Sequence, residues 1–490
     1  MNRPIRNIAI ACLVLFAALL VNINYVQFVE ADDLNAKNGN KRVINEEFSR
    51  DRGAILVDGE PVAESVKSKD EYKFQRRYPD GGLYAPLTGY FSYVFGRGAL
   101  ENSQNGVLSG SDNRLFVNRV VDLVSNKQPK GGSVELTIDP LAQKAAAEGL
   151  ERLGKNTKGA VVALDPKTGA VLAMVSQPSY NPNRLASHNF DSVQKSWNAL
   201  TKDKDQPMIN RTTQQTLPPG STFKLVTAAA ALENGVVDNI DDRIKAGARL
   251  TFPGIEYSLP NENGGNCGGD RITFEQALNV SCNVAFGALA GKIGQEKLAE
   301  QATKFGFGTD PIEGLASSAS RFTSGESKLE APQLAQSGIG QFEVATTPLQ
   351  MAMVGAGIAN DGDVMKPYVV KTVRSPNLRV LEQAQPERFS QAMSSSNSAK
   401  LREMMVSTVT RGTATSAQIS GVEVGAKTGT AQSTPDRPPY AWFISYAKQD
   451  DKQVAVAVLI ESSDTARDEI AGGRLAGPIA RSVMEQVIEN

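Results

Sequence analysis

The chain of 490 residues weighs 52.4 kDa, room for about two to four domains at roughly 100–200 residues each, and its 41% hydrophobic and 21% charged residues exclude long disordered or collagen-like character. Lys+Arg 52 against Asp+Glu 53 leaves a net charge of −1, so no global field draws the chain to nucleic acid and any anionic ligand must be met by local charge. A single histidine, His188, and three cysteines, Cys12, Cys267 and Cys282, argue against a zinc or iron–sulfur centre on those ligands and against a Ser-His-Asp triad; no metal and no cofactor is expected.

Arg3 and Arg6 precede a charge-free stretch, residues 7–29, long enough to cross a bilayer as a helix. Glu30, Asp32 and Asp33 follow, so the positive-inside tendency keeps residues 1–6 in the cytoplasm and places the rest outside the cell membrane, as a single-pass protein. A cleaved secretory signal ending at Val29-Glu30-Ala31 fits the same residues. Either way the bulk is exported.

Residues 30–136 are mixed and polar, with short apolar runs such as Gly53-Ala54-Ile55-Leu56-Val57 closed by the turn signal Asp58-Gly59; they read as small sheets and loops. A second domain opens at residue 137. Pro140 to Leu153 has helical periodicity, with Asp139 as N-cap and Pro140 at the first helical position. Ala160–Leu164 and Ala170–Val175 flank a five-residue turn, as in a hairpin. The Ser-rich stretch Ser394–Ser398 reads as a loop, Ala441–Tyr446 and Val454–Ile460 as strands, and Ile479–Ile488 as a closing helix. Strands, helices and strands again point to an α+β domain with an antiparallel sheet.

Chemistry enters at Pro218-Pro219-Gly220-Ser221-Thr222-Phe223-Lys224, followed by the Ala-rich helix Leu225–Leu232. Pro-Pro-Gly forces a sharp entry that sets Ser221 at a helix N-terminus, and Lys224, three residues on, shares its face. An amine kept neutral by burial and nearby positive charge can take the proton of the hydroxyl, while the helix N-terminus offers N–H groups to an oxyanion. The same Ser-x-x-Lys spacing occurs at Ser192–Lys195 and Ser445–Lys448, so the tetrad is weak evidence alone. Its company carries the reading: Ser281-Cys282-Asn283 and then Lys427-Thr428-Gly429-Thr430. Two imitations, Ser111-Asp112-Asn113 and Lys167-Thr168-Gly169, precede the nucleophile and are given no role.

This ordered set resembles the penicillin-recognising serine acyltransferases and β-lactamases. The resemblance extends through Val161–Asn183, Gly338-Ile339-Gly340-Gln341, Thr347–Ala352 and Arg411-Gly412-Thr413-Ala414, covering residues 137–490. Upstream, Arg52-Gly53-x-Ile55, Tyr78-Pro79 and Leu87-Thr88-Gly89-Tyr90 resemble the non-catalytic domain of class B penicillin-binding proteins. The whole chain is most similar to the short penicillin-binding protein A group of actinobacteria. The resemblance implies a transpeptidase fold behind a smaller pedestal domain, and a D,D-transpeptidase acting on peptidoglycan stem peptides that end in D-Ala-D-Ala. It implies Ser221 as nucleophile, Lys224 as its base, Ser281 as proton carrier tuned by Lys427, and Asn283 holding Lys224 and the substrate amide. It implies further that backbone N–H groups of Ser221 and Thr430 form the oxyanion hole, that Thr428 and Thr430 with Lys427 bind the terminal carboxylate, and that Gly429 lets the peptide lie along the strand. By the same resemblance, β-lactam antibiotics should acylate Ser221 by the same geometry. A multi-spanning membrane glycan polymerase is the implied partner.

Cys267 and Cys282 lie in the exported part, where a disulfide is allowed; two free buried thiols fit the spacing equally. Two other functions stay open on sequence grounds: a cell-wall scaffold acting through residues 30–136, and a β-lactamase, for which no second, deacylating base is recognisable.

Overall fold

The computed structural model describes all residues except 1–2, 31–33, 35–44, 46, 116–129, 263, 326–327, 432–437, 466–470 and 490. Helix α1, Arg3–Phe28, is long and apolar enough to cross a membrane, and its most apolar window is 0% buried. Ile8, Leu13, Leu15 and Phe16 stand exposed on it, as lipid-facing side chains would.

The upstream part carries β1 (Ile55–Val57), β2 (Glu60–Lys67), β3 (Phe74–Arg77), α2 (Gly81–Thr88) and β4 (Ser133–Leu136). Next come α3 (Pro140–Glu151), β5 (Lys158–Leu164), β6 (Val171–Gln177), α4 (Lys224–Glu233), the hairpin β7 (Arg249–Phe252) and β8 (Ile255–Pro260), and α5 (Asn283–Ile293). Then follow α6 (Pro348–Ala359), β9 (Val370–Arg374), β10 (Val380–Gln383), α7 (Ser395–Arg411), β11 (Glu423–Ala431), β12 (Tyr440–Gln449), β13 (Lys452–Ser462) and α8 (Gly477–Glu489).

The central sheet is antiparallel throughout, in the order β11-β12-β13-β5-β6. Its strands read as continuous apolar runs because both faces are covered. Val161 and Ala163 pack with Ala142, Leu150, Ile479 and Val483 of α3 and α8, whereas Val162 and Leu164 belong to the core that holds Met351 and Val354 of α6 and Val226 of α4. Each such fully buried Val or Leu contributes about 1.5–3 kcal/mol of transfer free energy. Asp139 caps α3 as its sequence predicts, accepting from the backbone N–H of Leu141 at 2.8 Å and of Ala142 at 2.9 Å.

The second sheet has the order β10-β9-β4-β1-β2-β3; β1 and β4 run parallel and its other pairs antiparallel. It draws β9 and β10 from far downstream into the upstream region. Beside it Glu101, fully buried, takes Arg52 Nε and Arg76 Nε at 2.6 Å each, and the Tyr78 hydroxyl donates to it at 3.1 Å.

Three expectations need correction. The upstream region is more than sheets and loops, since α2 and two shorter helices, Ala99–Ser103 and Asn105–Ser109, lie in it. Ser394–Ser398 is no loop: Ser394 accepts from the N–H of Asn397 as N-cap, and Ser395–Ser398 is the first turn of α7. Serine composition misled because the residue that suits a turn also suits a cap. Finally, Ser221 does not sit in the first turn of the α-helix but in a 3₁₀ turn, Gly220–Phe223, immediately before α4.

Candidate active site

The Ser221 turn is held against β11 and β12 by what surrounds it. Trp442 Nε1 donates to the carbonyl of Pro218 at 2.9 Å, and Thr222 Oγ1 to that of Pro219 at 2.8 Å. Gly220 has φ 53° and leaves no room for a side chain: a Cβ would stand 2.9 Å from the Thr430 carbonyl oxygen and 3.1 Å from Ala431 Cα. Gly340 answers from the other side, accepting the Gly220 N–H at 2.9 Å, and a Cβ on it would meet the Gly220 carbonyl oxygen at 2.2 Å. Two bare α-carbons thus let three chain segments converge under Ser221.

Ser221 is 7% exposed, while Lys224 and Lys427 are both 0% exposed. Lys224 Nζ lies 2.9 Å from Ser221 Oγ, 2.7 Å from the Ser281 carbonyl oxygen, 2.7 Å from Asn283 Oδ1 and 3.1 Å from Ser281 Oγ. Two of those oxygens can only accept. A neutral amine spends its two hydrogens on them and turns its lone pair toward the hydroxyls. Burial first, and then the nearby Lys427, hold the Lys224 amine well below the ordinary lysine range; Glu262 pulls weakly the other way. Burial also brings Lys427 down to about 7, again against Glu262. Lys427 Nζ donates to Ser281 Oγ at 2.9 Å and to the Thr428 carbonyl at 2.8 Å. A chain of proton-bearing groups therefore runs Ser221–Lys224–Ser281–Lys427.

Ser281 reaches both lysines because its backbone is left-handed, φ 56°, a conformation costing a non-glycine residue about 1–3 kcal/mol. Its neighbours over-determine it. Cys282 is disulfide-bonded to Cys267 with Cα atoms 5.8 Å apart. Asn261, a residue sequence reasoning gave no role, donates to the carbonyls of Gly247 at 2.8 Å and Gly265 at 2.6 Å and accepts from the Val284 N–H at 3.1 Å. Asn283 Nδ2 donates to the Pro260 carbonyl at 3.1 Å. The end of β8, the Gly-rich loop after it and the start of α5 are thereby one bracket.

β11 forms the opposite wall as an edge strand, paired among the described residues only through Lys427↔Ile444, Thr428↔Phe443, Gly429↔Trp442 and their neighbours on β12. Thr428 shares a 2.8 Å hydroxyl contact with Thr413, which brings the Arg411-Gly412-Thr413-Ala414 segment to the same wall. At Gly429 the want of a side chain serves packing: a Cβ would press on Thr222 Cγ2 at 2.8 Å and on the Pro219 carbonyl oxygen at 2.9 Å. Between the walls lies a cleft of about 400 Å³ lined by Ser221, Asn283 and Thr430 together with Tyr257, Glu262 and Phe342. Tyr257, Glu262 and Phe342 also had no signal in the sequence, since no fixed spacing ties them to Ser221. Among the described residues no group of His, Cys, Asp and Glu is placed to hold a metal ion.

The imitation motifs lie elsewhere in the fold. Lys167 sits in the β5–β6 turn, donating to the Asp451 carbonyl. Ser445 is buried in β12 with Lys448 exposed three residues on, a spacing that on a strand points opposite ways.

Residues 159–485 match the family described as the penicillin binding protein transpeptidase domain, and residues 52–134 the penicillin binding protein A dimerisation domain. The chain is 39% identical over 489 residues to peptidoglycan D,D-transpeptidase PbpA of Mycolicibacterium smegmatis, covering 99% of this chain and 98% of that one. It is 37% identical over 494 residues to the protein of the same name from Mycobacterium tuberculosis, covering 100% and 99%. Among solved structures, penicillin-binding protein A from M. tuberculosis as an imipenem acyl-enzyme complex has a TM-score of 0.84 and 38% identity, over 90% of this chain and 100% of that one; the penicillin G acyl-enzyme complex has a TM-score of 0.83 and 37% identity over the same shares. On fold, motif order and full-length similarity, this chain belongs to the class B penicillin-binding proteins, in the penicillin-binding protein A group.

Proposed function

We propose that the protein is a serine D,D-transpeptidase that cross-links peptidoglycan stem peptides in cell-wall synthesis. The observation that carries it is the fully buried Lys224 amine, set 2.9 Å from Ser221 Oγ and bound to two acceptor-only oxygens. In the first half-reaction Ser221 Oγ attacks the carbonyl carbon of the penultimate D-alanine while its proton passes to Lys224. The N–H groups of Ser221 and Thr430 face the oxyanion. Ser281, between the two lysines, hands a proton to the leaving nitrogen, and terminal D-alanine departs, leaving an ester on Ser221. In the second half an acceptor amine attacks that ester and the protons return. Lys427, Thr428 and Thr430 bind the donor carboxylate on the β11 wall, and Asn283 holds the substrate amide.

Penicillin and its relatives take the donor's place and acylate Ser221; the imipenem and penicillin G acyl-enzymes of the M. tuberculosis relative support this. Residues 1–6 form a cytoplasmic tail, 7–29 the anchor, 30–136 an interaction domain and 137–490 the extracytoplasmic transpeptidase domain. A multi-spanning glycan polymerase in the same membrane is the partner that supplies nascent strands. Intact-mass spectrometry after incubation with penicillin tests the reading: a stable adduct on Ser221, absent in Ser221→Ala, is expected. Hydrolysed antibiotic without an adduct would overturn it in favour of a β-lactamase, and intact antibiotic without an adduct in favour of a scaffold.

A further inference from the structure

Within the cleft, Glu262 is the one charged side chain among the described lining residues. It is exposed and has neither an ion pair nor a hydrogen bond among the described residues. Yet its backbone is fixed. Asn261, directly before it, is tied to Gly247, Gly265 and Val284, and Pro260 accepts from Asn283. A carboxylate unpaired among the described residues is thus held on a rigid bracket at the edge of the reaction centre.

That carboxylate opposes the first half-reaction. It raises the proton affinity of Lys224 and of Lys427, favouring the protonated amine where the neutral one is needed. It also repels the terminal carboxylate of the donor, and that of penicillin. The second half-reaction has the opposite requirement, because an aliphatic amine acceptor arrives from water as an ammonium ion. Tyr257 and Phe342, 40% and 42% exposed on the same cleft, suit the methylenes that would carry such an amine, as aromatic faces suit cations and their stems.

We infer that Glu262 is the docking carboxylate of the acceptor site, pairing with the cationic side-chain amine through which the acceptor stem peptide attacks. The inference rests on the transpeptidase reading above. The step balances: the ammonium gives one proton to solvent, its nitrogen forms the amide bond to the acyl carbon, the ester bond to Ser221 Oγ breaks, and the second proton restores the Ser221 hydroxyl. Glu262 binds and orients the cation; Lys224 remains the base.

The test uses the full chain in detergent, a D-Ala-D-Ala-terminated peptide donor, and two acceptors. One is Nα-acetyl-lysine amide, cationic at its side chain; the other is hydroxylamine, uncharged at neutral pH. For Glu262→Gln, transfer to the lysine acceptor relative to hydroxylamine is expected to fall about three- to tenfold, while penicillin acylation of Ser221 speeds up. Glu262→Asp keeps the charge and should keep the preference, and in the wild type added salt should erode it. An unchanged acceptor ratio in Glu262→Gln, or an equal loss with both acceptors, overturns the inference. A wild type that forms no penicillin adduct overturns the transpeptidase reading itself, before any acceptors are compared.

Discussion

Replacing Lys427 by methionine removes the cation nearest Lys224 while keeping an unbranched, buried side chain in place. Both amines touch Ser281 Oγ, at 3.1 and 2.9 Å, so they stand no more than about 6 Å apart. Two unit charges at that separation repel by roughly 2.8 kcal/mol at an effective dielectric constant of about 20, equivalent to about two pH units. Lys427 itself titrates at about 7 and carries about half a charge at neutrality, which brings the expected displacement to about one to two pH units. The sign follows from the chemistry: Lys224 must be neutral to accept the Ser221 proton, so acylation falls as pH drops through its pKa. Without the neighbouring cation that pKa rises, and the acid limb of the profile moves to higher pH. The assay is the second-order rate of penicillin acylation across the neutral range, followed by intact mass. The proposed loss of carboxylate binding should also lower the rate in Lys427→Met, but only the position of the limb tests the coupling. A limb that stays put or moves to lower pH refutes the reasoning.

The same lysine makes stability depend on pH. Its folded pKa of about 7 lies below the unfolded value of 10.5, so the unfolded chain binds more protons and stability rises with pH across that window, by about 1.4 kcal/mol per pH unit. The cost is complete below pH 7 and gone above the unfolded value; Lys224, also held below its unfolded value, adds a slope of the same sign, so denaturant titrations at several pH values should show a slope in Lys427→Met that is shallower than the wild type's by about that amount. Cys267→Ser opens a disulfide of sequence separation 15, which should cost about 3 kcal/mol and slow acylation by loosening Ser281; unchanged melting and acylation would sink the claim. Asn261→Ala removes three backbone anchors and should cost about 2–3 kcal/mol at roughly 1 kcal/mol per bond, with a parallel drop in acylation rate. Glu101→Gln strands Arg52 and Arg76 as buried charges and should cost about 3–5 kcal/mol, leaving the acylation rate of the folded fraction intact.

What the sequence disclosed was whatever local geometry determines. Ser221 and Lys224 lie one turn apart, so their contact could be foreseen, and the hairpin of β5 and β6 was legible in two apolar runs around a five-residue turn. Asn261 and Glu262 were silent because their importance comes from segments that meet only in the fold. Glu101 was equally hidden: an acid next to a helix start looks solvated until two arginines, Arg52 ahead of β1 and Arg76 in β3, close over it. The recruitment of β9 and β10 to the upstream sheet could not be read either, since pairing of strands distant in sequence leaves no periodic trace. Ser281 shows the converse limit: its motif was recognisable, but its left-handed backbone was not.

The position of β4 decides how this protein can be cut. It lies between β1 and β9, bonded to each, so the upstream segment is a seal over the raw edge of a strand that belongs to the catalytic half. A fragment starting at residue 137 keeps β9 and loses its cover, baring a row of N–H and C=O groups that invites edge-to-edge aggregation. Soluble versions must therefore begin ahead of Arg52, whose buried pairing with Glu101 fixes the first strand of that seal.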